Sequence, residues 1–221
     1  MKVVVESVER FQENNFFMKV MPEKELKFNA GQFVMVKVGG VEKPFSIASF
    51  QGEKTIDFLI SAHLGGQITP KLEKMKKGEG FEIEGPFGSF MIRDTDAKEI
   101  VFIAAGTGVA PFRGMIVEAL EKFKDKKVKL IFGFRHDFYF EDFWKELKKK
   151  YKNFDYLACC SRAGKSWKGL KGRVTGHLEK IIGSASGKEV YLCGPPAMVE
   201  ATRAKLGEIG FGKKQIWGEE W

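Results

Sequence analysis

At the polar connector RDTDAKE (Arg93 to Glu99) the hydrophobic pattern of this chain changes period. From Met1 to about Arg93 it runs through short stretches of strand length: KVVVESV, NFFMKVM, QFVMVKV, PFSIASF, TIDFLIS and FEIEG. These are rich in β-branched and aromatic residues and are separated by turn formers such as NAGQ, VGG and QGEK. That pattern predicts an antiparallel barrel or sandwich. One helix interrupts it near ITPKLEKMK, with Thr69 at a cap position and Pro70 in the first turn. After the connector, apolar runs (EIVFIAA, KVKLIFGF, FDYLACC, EVYLCG and QIW) alternate with amphipathic stretches (VAPFRGMIVEALEKF, FEDFWKELKKK, GHLEKII and AMVEATRAKLGEI). This alternation is that of a parallel sheet covered by helices. The expectation is therefore two domains, an antiparallel β-barrel over residues 1–96 and an α/β parallel-sheet, Rossmann-like domain over residues 97–221. No internal repeat or low-complexity tract is visible.

Composition narrows the function classes. A formal charge of +8 would suit nucleic acid or an anionic surface, but acids are interleaved with the lysines almost everywhere. The densest basic runs, EKFKDKKVK (Glu121 to Lys129) and KELKKKYK (Lys145 to Lys152), read as solvated helix ends without the stacking aromatics of a nucleic-acid groove. Three cysteines, Cys159, Cys160 and Cys193, form neither a disulfide framework nor a C-x-x-C pair, which fits a reducing cytoplasm. No apolar run approaches the ~20 residues needed to span a bilayer, so membrane insertion is not expected. Neither a metal-ligand pattern nor a nucleophile elbow, Walker loop or carboxylate pair stands out, and no metal is expected.

Several segments can carry chemistry. KPFSIAS (Lys43 to Ser49) reads equally as an edge strand opened by Pro44 or as a place where Lys43 and Ser46 meet a bound anion and a polar ring. GTGVAP (Gly106 to Pro111) lies between a strand and its helix. Glycines at 106 and 108 permit a tight turn and a phosphate at the helix start, although Pro111 stands where the full dinucleotide fingerprint has a third glycine. CGPP places Cys193 at the carboxyl edge of a strand, where open α/β sheets bind ligands. Cys159 and Cys160, expected in the middle of a strand, read as small core residues. Ser161 and Arg162, followed by Lys165, Lys168 and Lys171, make a basic cluster at a strand's carboxyl end. His63 precedes the glycines of HLGGQITP; His136 and His177 carry no signal.

Taken in order, five of these motifs resemble the ferredoxin-NADP+ reductase family of flavoprotein oxidoreductases. KPFSIAS is similar to its flavin motif, HLGGQITP to its pyrophosphate segment, GPFGSF to its domain-closing turn, GTGVAP to its pyridine-nucleotide loop and YLCGPPAM to its nicotinamide-side strand. In GEEW, Glu219 and Trp221 match the spacing of the family's terminal carboxylate and aromatic. The resemblance implies that Lys43 neutralises a cofactor phosphate and that Pro44 and Phe45 pack at the flavin. It further implies that Ser46 bonds near flavin N5, that His63, Gly65, Gly66, Gln67, Ile68 and Thr69 hold the pyrophosphate, and that Trp221 stacks on a ring. Gly106, Thr107 and Gly108 would anchor the nucleotide, with Arg135, Ser161 and Arg162 at its 2′-phosphate end and Cys193, Gly194, Pro195 and Met198 on the nicotinamide side. Ser46, Cys193 and Glu219 would line the reaction centre.

The implied chemistry is hydride transfer from the nicotinamide to flavin N5, followed by delivery of electrons to an acceptor. The implied cofactors are FAD in preference to FMN and, because Ser161–Arg162 precede no acidic residue through Arg173, NADPH in preference to NADH. Lys43 replaces the family's arginine and Phe45 its commoner tyrosine, which keeps open an NAD(P)H:flavin reductase that uses flavin as a dissociable substrate. A fused ferredoxin domain is not expected, since its C-x4-C-x2-C ligands are missing. The acceptor is then a separate protein such as an acidic ferredoxin or flavodoxin, or the chain is a subunit of a larger complex. A non-catalytic NAD(P)H-sensing module is the reading from a different class.

Overall fold

Alternation of period two builds the first half of the chain. The strands are β1 (Lys2–Arg10), β2 (Asn15–Pro22), β3 (Phe33–Val38), β4 (Val41–Ser46), β5 (Ile56–Ser61) and β6 (Gly80–Phe87). They form a six-stranded antiparallel sheet in the order β4-β3-β6-β1-β2-β5. Val3 and Val5, Phe16, Met18 and Val20, and Val34 and Val36 all point to one face and are buried with Ile56, Phe58 and Ile60. Each such side chain contributes roughly 1.5–3 kcal/mol by leaving water. This computed structural model describes residues 1–62 and 66–220, Glu220 by its backbone alone.

Two local expectations need correction. PFSIASF does not continue as one strand: β4 ends at Ser46, where the chain leaves β3 and crosses toward β5. There the Ile47 N–H donates to the Gln32 carbonyl (3.0 Å) and the Ala48 N–H to the Asp57 carbonyl (2.8 Å), so the run stays buried without being sheet. Pro44 does not open the strand but sits opposite Met35 within it; because β4 is last in the strand order, its missing N–H is tolerated. Thr69 does not cap the helix α1 (Thr69–Lys74). The cap is Ile68, which makes no side-chain capping bond, and Thr69 is the first helical residue with its side chain buried.

The second half holds β7 (Glu99–Ala105), α2 (Ala110–Lys122), β8 (Lys127–Phe134), α3 (Glu141–Lys150), β9 (Phe154–Cys160) and β10 (Leu170–Lys171). It continues through α4 (Leu178–Ile182), β11 (Lys188–Gly194), α5 (Pro196–Ile209) and β12 (Ile216–Glu220). The sheet is parallel, in the order β10-β9-β8-β7-β11-β12. Val101, Ile103, Ile131, Val190 and Leu192 pack on one face against Leu178, Val199 and Leu206. The strand order reverses at β7, with β8 on one side and β11 on the other, the kind of switch point beside which open sheets bind ligands. Cys159 and Cys160 are the last two residues of β9, not its middle, and both are buried.

By contacts the chain divides into two units, Met1–Ile92 with Ala110–Val117, and Arg93–Val109 with Glu118–Trp221. The first eight residues of α2 thus belong with the antiparallel sheet.

Candidate functional site

In the first unit the relevant segment is the end of β4. Lys43 is exposed and makes no ion pair among the described residues. Pro44, Phe45 and Ser46 are half-buried, and Phe45 lies edge-on to Phe58 at 6.4 Å between ring centroids, as part of the lining of the barrel core. Ser46 stands opposite Phe33, and its hydroxyl makes no hydrogen bond among the described residues. Gly66 is half-buried and Gln67 exposed; Ile68 is fully buried, and its carbonyl accepts from Lys71 and Leu72, each at 3.0 Å. His63, Gly65 and Trp221 lie outside the described residues.

Just beyond Ser46 the two edges of the sheet meet around an arginine that the motifs do not include. Arg113 of α2 donates to the Ala48 carbonyl (3.1 Å), to Asp57 Oδ2 (3.2 Å) and to both Glu53 oxygens (2.9 Å each). The Asp57 N–H donates to Ser49 Oγ (3.2 Å), Thr55 Oγ1 to Asp57 Oδ1 (2.7 Å), and the Phe50 N–H to Glu53 Oε2 (3.0 Å). Asp57 is fully buried; burial pushes its carboxyl above the ordinary range, against the Thr55 hydroxyl and the Arg113 charge. The sequence carried a signal for this cluster: Asp57 and Arg113 are each a lone charge inside an apolar run, TIDFLIS and VAPFRGMIV. Buried charges require partners.

The second unit gathers more of the candidates. Gly106–Val109 forms one 3-10 turn between β7 and α2, with Gly106 at φ +56. A Cβ on Gly108 would lie 2.5 Å from the Cys193 oxygen and 2.5 Å from Gly194 Cα, so the turn lies directly on the end of β11. Gly194 is similarly confined, since its Cβ would lie 2.7 Å from Met198 Cε and 3.2 Å from the Ala105 oxygen. Thr107 and Met198 are half-buried, and Pro195 is exposed at the start of α5. Cys193 is fully buried and lies between Ala104 of β7 and Glu219 of β12 in the sheet register. The structure therefore brings Gly106–Gly108, Cys193–Gly194 and Glu219 to the carboxyl ends of three adjacent strands.

Among the described residues Glu219 Oε2 is buried with no hydrogen-bond partner, and burial pushes this carboxyl up to about 7. Two residues earlier on the same face, Trp217 also has a buried Nε1 with no partner among the described residues, beneath the Arg93 guanidinium 3.9 Å from its ring centroid. Farther along the sheet, Arg135 follows β8 and Ser161–Arg162 follow β9, all exposed. The Ser161 N–H and hydroxyl both donate to the Phe134 carbonyl (2.8 and 3.1 Å), and Cys160 Sγ donates to the Arg135 carbonyl. Trp167 closes this cluster edge-on to Phe134 at 5.2 Å. His177 bonds only locally, Nε2 lying 2.8 Å from the Lys171 carbonyl. Among the described residues no group of His, Cys, Asp and Glu could hold a metal ion, and no helix is long and apolar enough to cross a membrane.

Known proteins with the same pattern carry related machinery. Residues 3–92 match the model of an oxidoreductase FAD-binding domain, and residues 102–204 that of an oxidoreductase NAD-binding domain. The chain is 29% identical over 208 residues to the reductase component DmpP of phenol 2-monooxygenase from Pseudomonas sp. strain CF600, covering 90% of this chain and 59% of that protein. It is 30% identical over 202 residues to the electron transfer component of toluate 1,2-dioxygenase from Pseudomonas putida, covering 89% and 60%. It thus spans about three-fifths of the length of these relatives. Among solved structures, the Amycolatopsis cytochrome P450 reductase GcoB superposes with a TM-score of 0.91 at 25% identity, over 100% of this chain and 69% of that one. A ferredoxin NADP+ reductase from Neisseria gonorrhoeae with bound FAD and NADP shares the fold, with a TM-score of 0.89 at 22% identity over 100% and 98%.

Proposed function

We propose that this chain, which belongs to the ferredoxin-NADP+ reductase family of FAD- and pyridine-nucleotide-binding oxidoreductases, takes reducing equivalents from NAD(P)H and passes electrons to a separate acceptor protein. The observation that carries this reading is the convergence, at one end of the parallel sheet, of a glycine turn, Cys193 and a buried carboxyl that has no partner among the described residues. The first unit also fits a flavin, because among the described residues Lys43 has no ion-pair partner and the Ser46 hydroxyl no hydrogen bond. A bound flavin supplies a two-electron acceptor that releases electrons singly.

The chain's own residues position and shield that chemistry. Lys43 offers one positive charge to a phosphate, Ser46 a hydroxyl donor, and Gly66–Thr69 the segment leading into α1. Gly106–Gly108 lets phosphate oxygens approach backbone N–H groups at the start of α2. Glu219 holds a proton up to near-neutral pH and can give it up as charge changes beside it. We assign residues 1–96 to the flavin side and 97–221 to the nucleotide side.

Finer choices follow from the same residues. FAD is the flavin. NADPH is preferred because Arg162 and Arg135 are exposed cations at the ends of β9 and β8. Ser161 uses its hydroxyl proton on Phe134, which leaves Arg162 as the main discriminator of a 2′-phosphate. The relatives named above are components of phenol 2-monooxygenase and toluate 1,2-dioxygenase. Together with the +8 charge, this favours an acidic electron-carrier protein or an oxygenase assembly as acceptor. The buried thiols suit the cytoplasm.

The decisive experiment is an anaerobic titration of purified protein, reconstituted with FAD, with NADPH and then NADH. The expected result is a yellow protein whose visible band bleaches at lower NADPH than NADH. A protein that takes up no flavin, or whose flavin is not bleached by either nucleotide, overturns the proposal. Flavin lost on desalting, with turnover of added flavin retained, would identify the dissociable-substrate variant that the single charge of Lys43 and the missing hydroxyl of Phe45 favour.

A further inference from the structure

We propose that Arg113 is a positioning residue for the flavin-side reaction centre: by clasping the seam of the barrel it fixes the strand end that carries Ser46. The inference rests on the flavin-binding function proposed above.

The geometry is that of a clasp. Four residues in a row after Ser46 are tied down: Ile47 to Gln32, Ala48 to Asp57 through its N–H, Ser49 to Asp57 and Phe50 to Glu53. Arg113 joins these ties into one network, because its single guanidinium reaches the Ala48 carbonyl and the carboxylates of Asp57 and Glu53 at once. Its planar fork of donors suits three acceptors from two directions, which a lysine ammonium serves less well. The clasp is largely shielded from water: Arg113 is 9% exposed, Asp57, Ser49 and Ala48 are fully buried, and Glu53 is half-buried. Gly114 keeps α2 close, since a Cβ there would lie 3.0 Å from the Ser49 oxygen and 3.1 Å from Ala30 Cβ.

Without the guanidinium, the Ala48 carbonyl has no side-chain donor, and the two carboxylates face each other across a buried seam. Glu53 would turn toward water and release the Phe50 N–H. Ile47 is the only residue between Ala48 and Ser46, so movement of the seam displaces Ser46. A misplacement of about 1 Å at a reacting centre can slow the step by about 100-fold.

The test compares Arg113→Met, Arg113→Lys and Val3→Ala with the wild type, all in the full chain reconstituted with FAD. Val3 is a buried barrel residue whose sheet partners, Pro22 and Phe81, are outside the clasp, and it serves as a control for stability loss alone. Single-turnover reduction by saturating NADPH, per bound flavin and well below every melting temperature, is the readout, alongside FAD and NADPH dissociation constants. We expect Arg113→Met to reduce the rate, or weaken FAD, by roughly tenfold or more, with Arg113→Lys intermediate, Val3→Ala unchanged and NADPH affinity unchanged in all. Should Arg113→Met fail to fold, Arg113→Lys against Val3→Ala decides by the same comparison. Wild-type rate and FAD affinity in folded Arg113 variants would overturn the clasp while leaving the flavoprotein reading intact. A wild type that binds no flavin would overturn both.

Discussion

Gly108 offers a quantitative test of the nucleotide turn. Replacing it by alanine places a methyl carbon 2.5 Å from both the Cys193 oxygen and Gly194 Cα and 2.6 Å from the Cys193 carbonyl carbon. Comfortable contact between carbon atoms is about 3.5–4.0 Å, so something must move by about 1 Å. All three crowded atoms are backbone at the end of β11, held in register with Ala104 and Glu219, so no side chain can rotate away. Overpacking of this kind costs about 1–3 kcal/mol. If the end of β11 moves, the cost is lost stability, a melting temperature lower by about 2–4 °C per kcal/mol in a chain of this size. If the turn moves instead, NADPH weakens by roughly tenfold for each 1.4 kcal/mol. Gly106→Ala is the companion: nothing lies within 4 Å of its Cβ, and only the φ of +56 resists substitution. It should cost about 1–2 kcal/mol without crowding β11. Differential scanning fluorimetry and NADPH titration of both variants give the two quantities. A Gly108→Ala protein with wild-type melting temperature and wild-type NADPH affinity would refute the close approach of turn and strand.

Three further outcomes follow. Burial raises the Glu219 carboxyl from an unfolded value of 4.5 to about 7, so its stabilising contribution is fully present below about pH 4.5 and is lost as pH rises through about 7. Glu219→Gln should therefore flatten the fall in melting temperature between pH 5 and pH 8, and an unchanged profile would remove Glu219 as its source. Arg162→Ala should raise the KM for NADPH at least roughly tenfold more than that for NADH, and equal effects in steady-state kinetics would count against a 2′-phosphate site there. Ser46→Ala should slow flavin reduction in stopped flow by roughly tenfold or more while leaving NADPH affinity intact; an unchanged rate would take Ser46 out of the reaction centre.

Much of the architecture was legible because each half has its own period. Alternating Val3 and Val5 or Phe16, Met18 and Val20 can bury one face only as strands, and runs such as IVFIAA between amphipathic helices need a parallel sheet. The glycine turn and CGPP could be placed at strand ends because a strand must stop where glycine and proline follow it. What could not be read was whatever depends on pairing distant segments. Thr69 has the right type for a cap, but burial of its side chain gave the position to Ile68. PFSIASF is apolar throughout, and only the hydrogen bonds to Gln32 and Asp57 show that the chain changes edges after Ser46. Arg113 and Asp57 lie 56 positions apart and explain each other's burial, which neither apolar run shows alone. Trp217, beside Glu219 on the same strand face, was hidden for a similar reason, since its cover is Arg93 from the connector.

The membership of Ala110–Val117 in the first unit has a consequence for how the protein is made. A nascent chain released from the ribosomal tunnel only as far as Ile92 has every strand of the antiparallel sheet, yet lacks the one guanidinium that neutralises Glu53 and Asp57. Translation must therefore proceed past β7 and into α2 before this buried ion-pair network can form. For the same reason, a gene fragment cut at the border between the two matched domains would lack that guanidinium, and a fragment that keeps the network must run at least through Arg113.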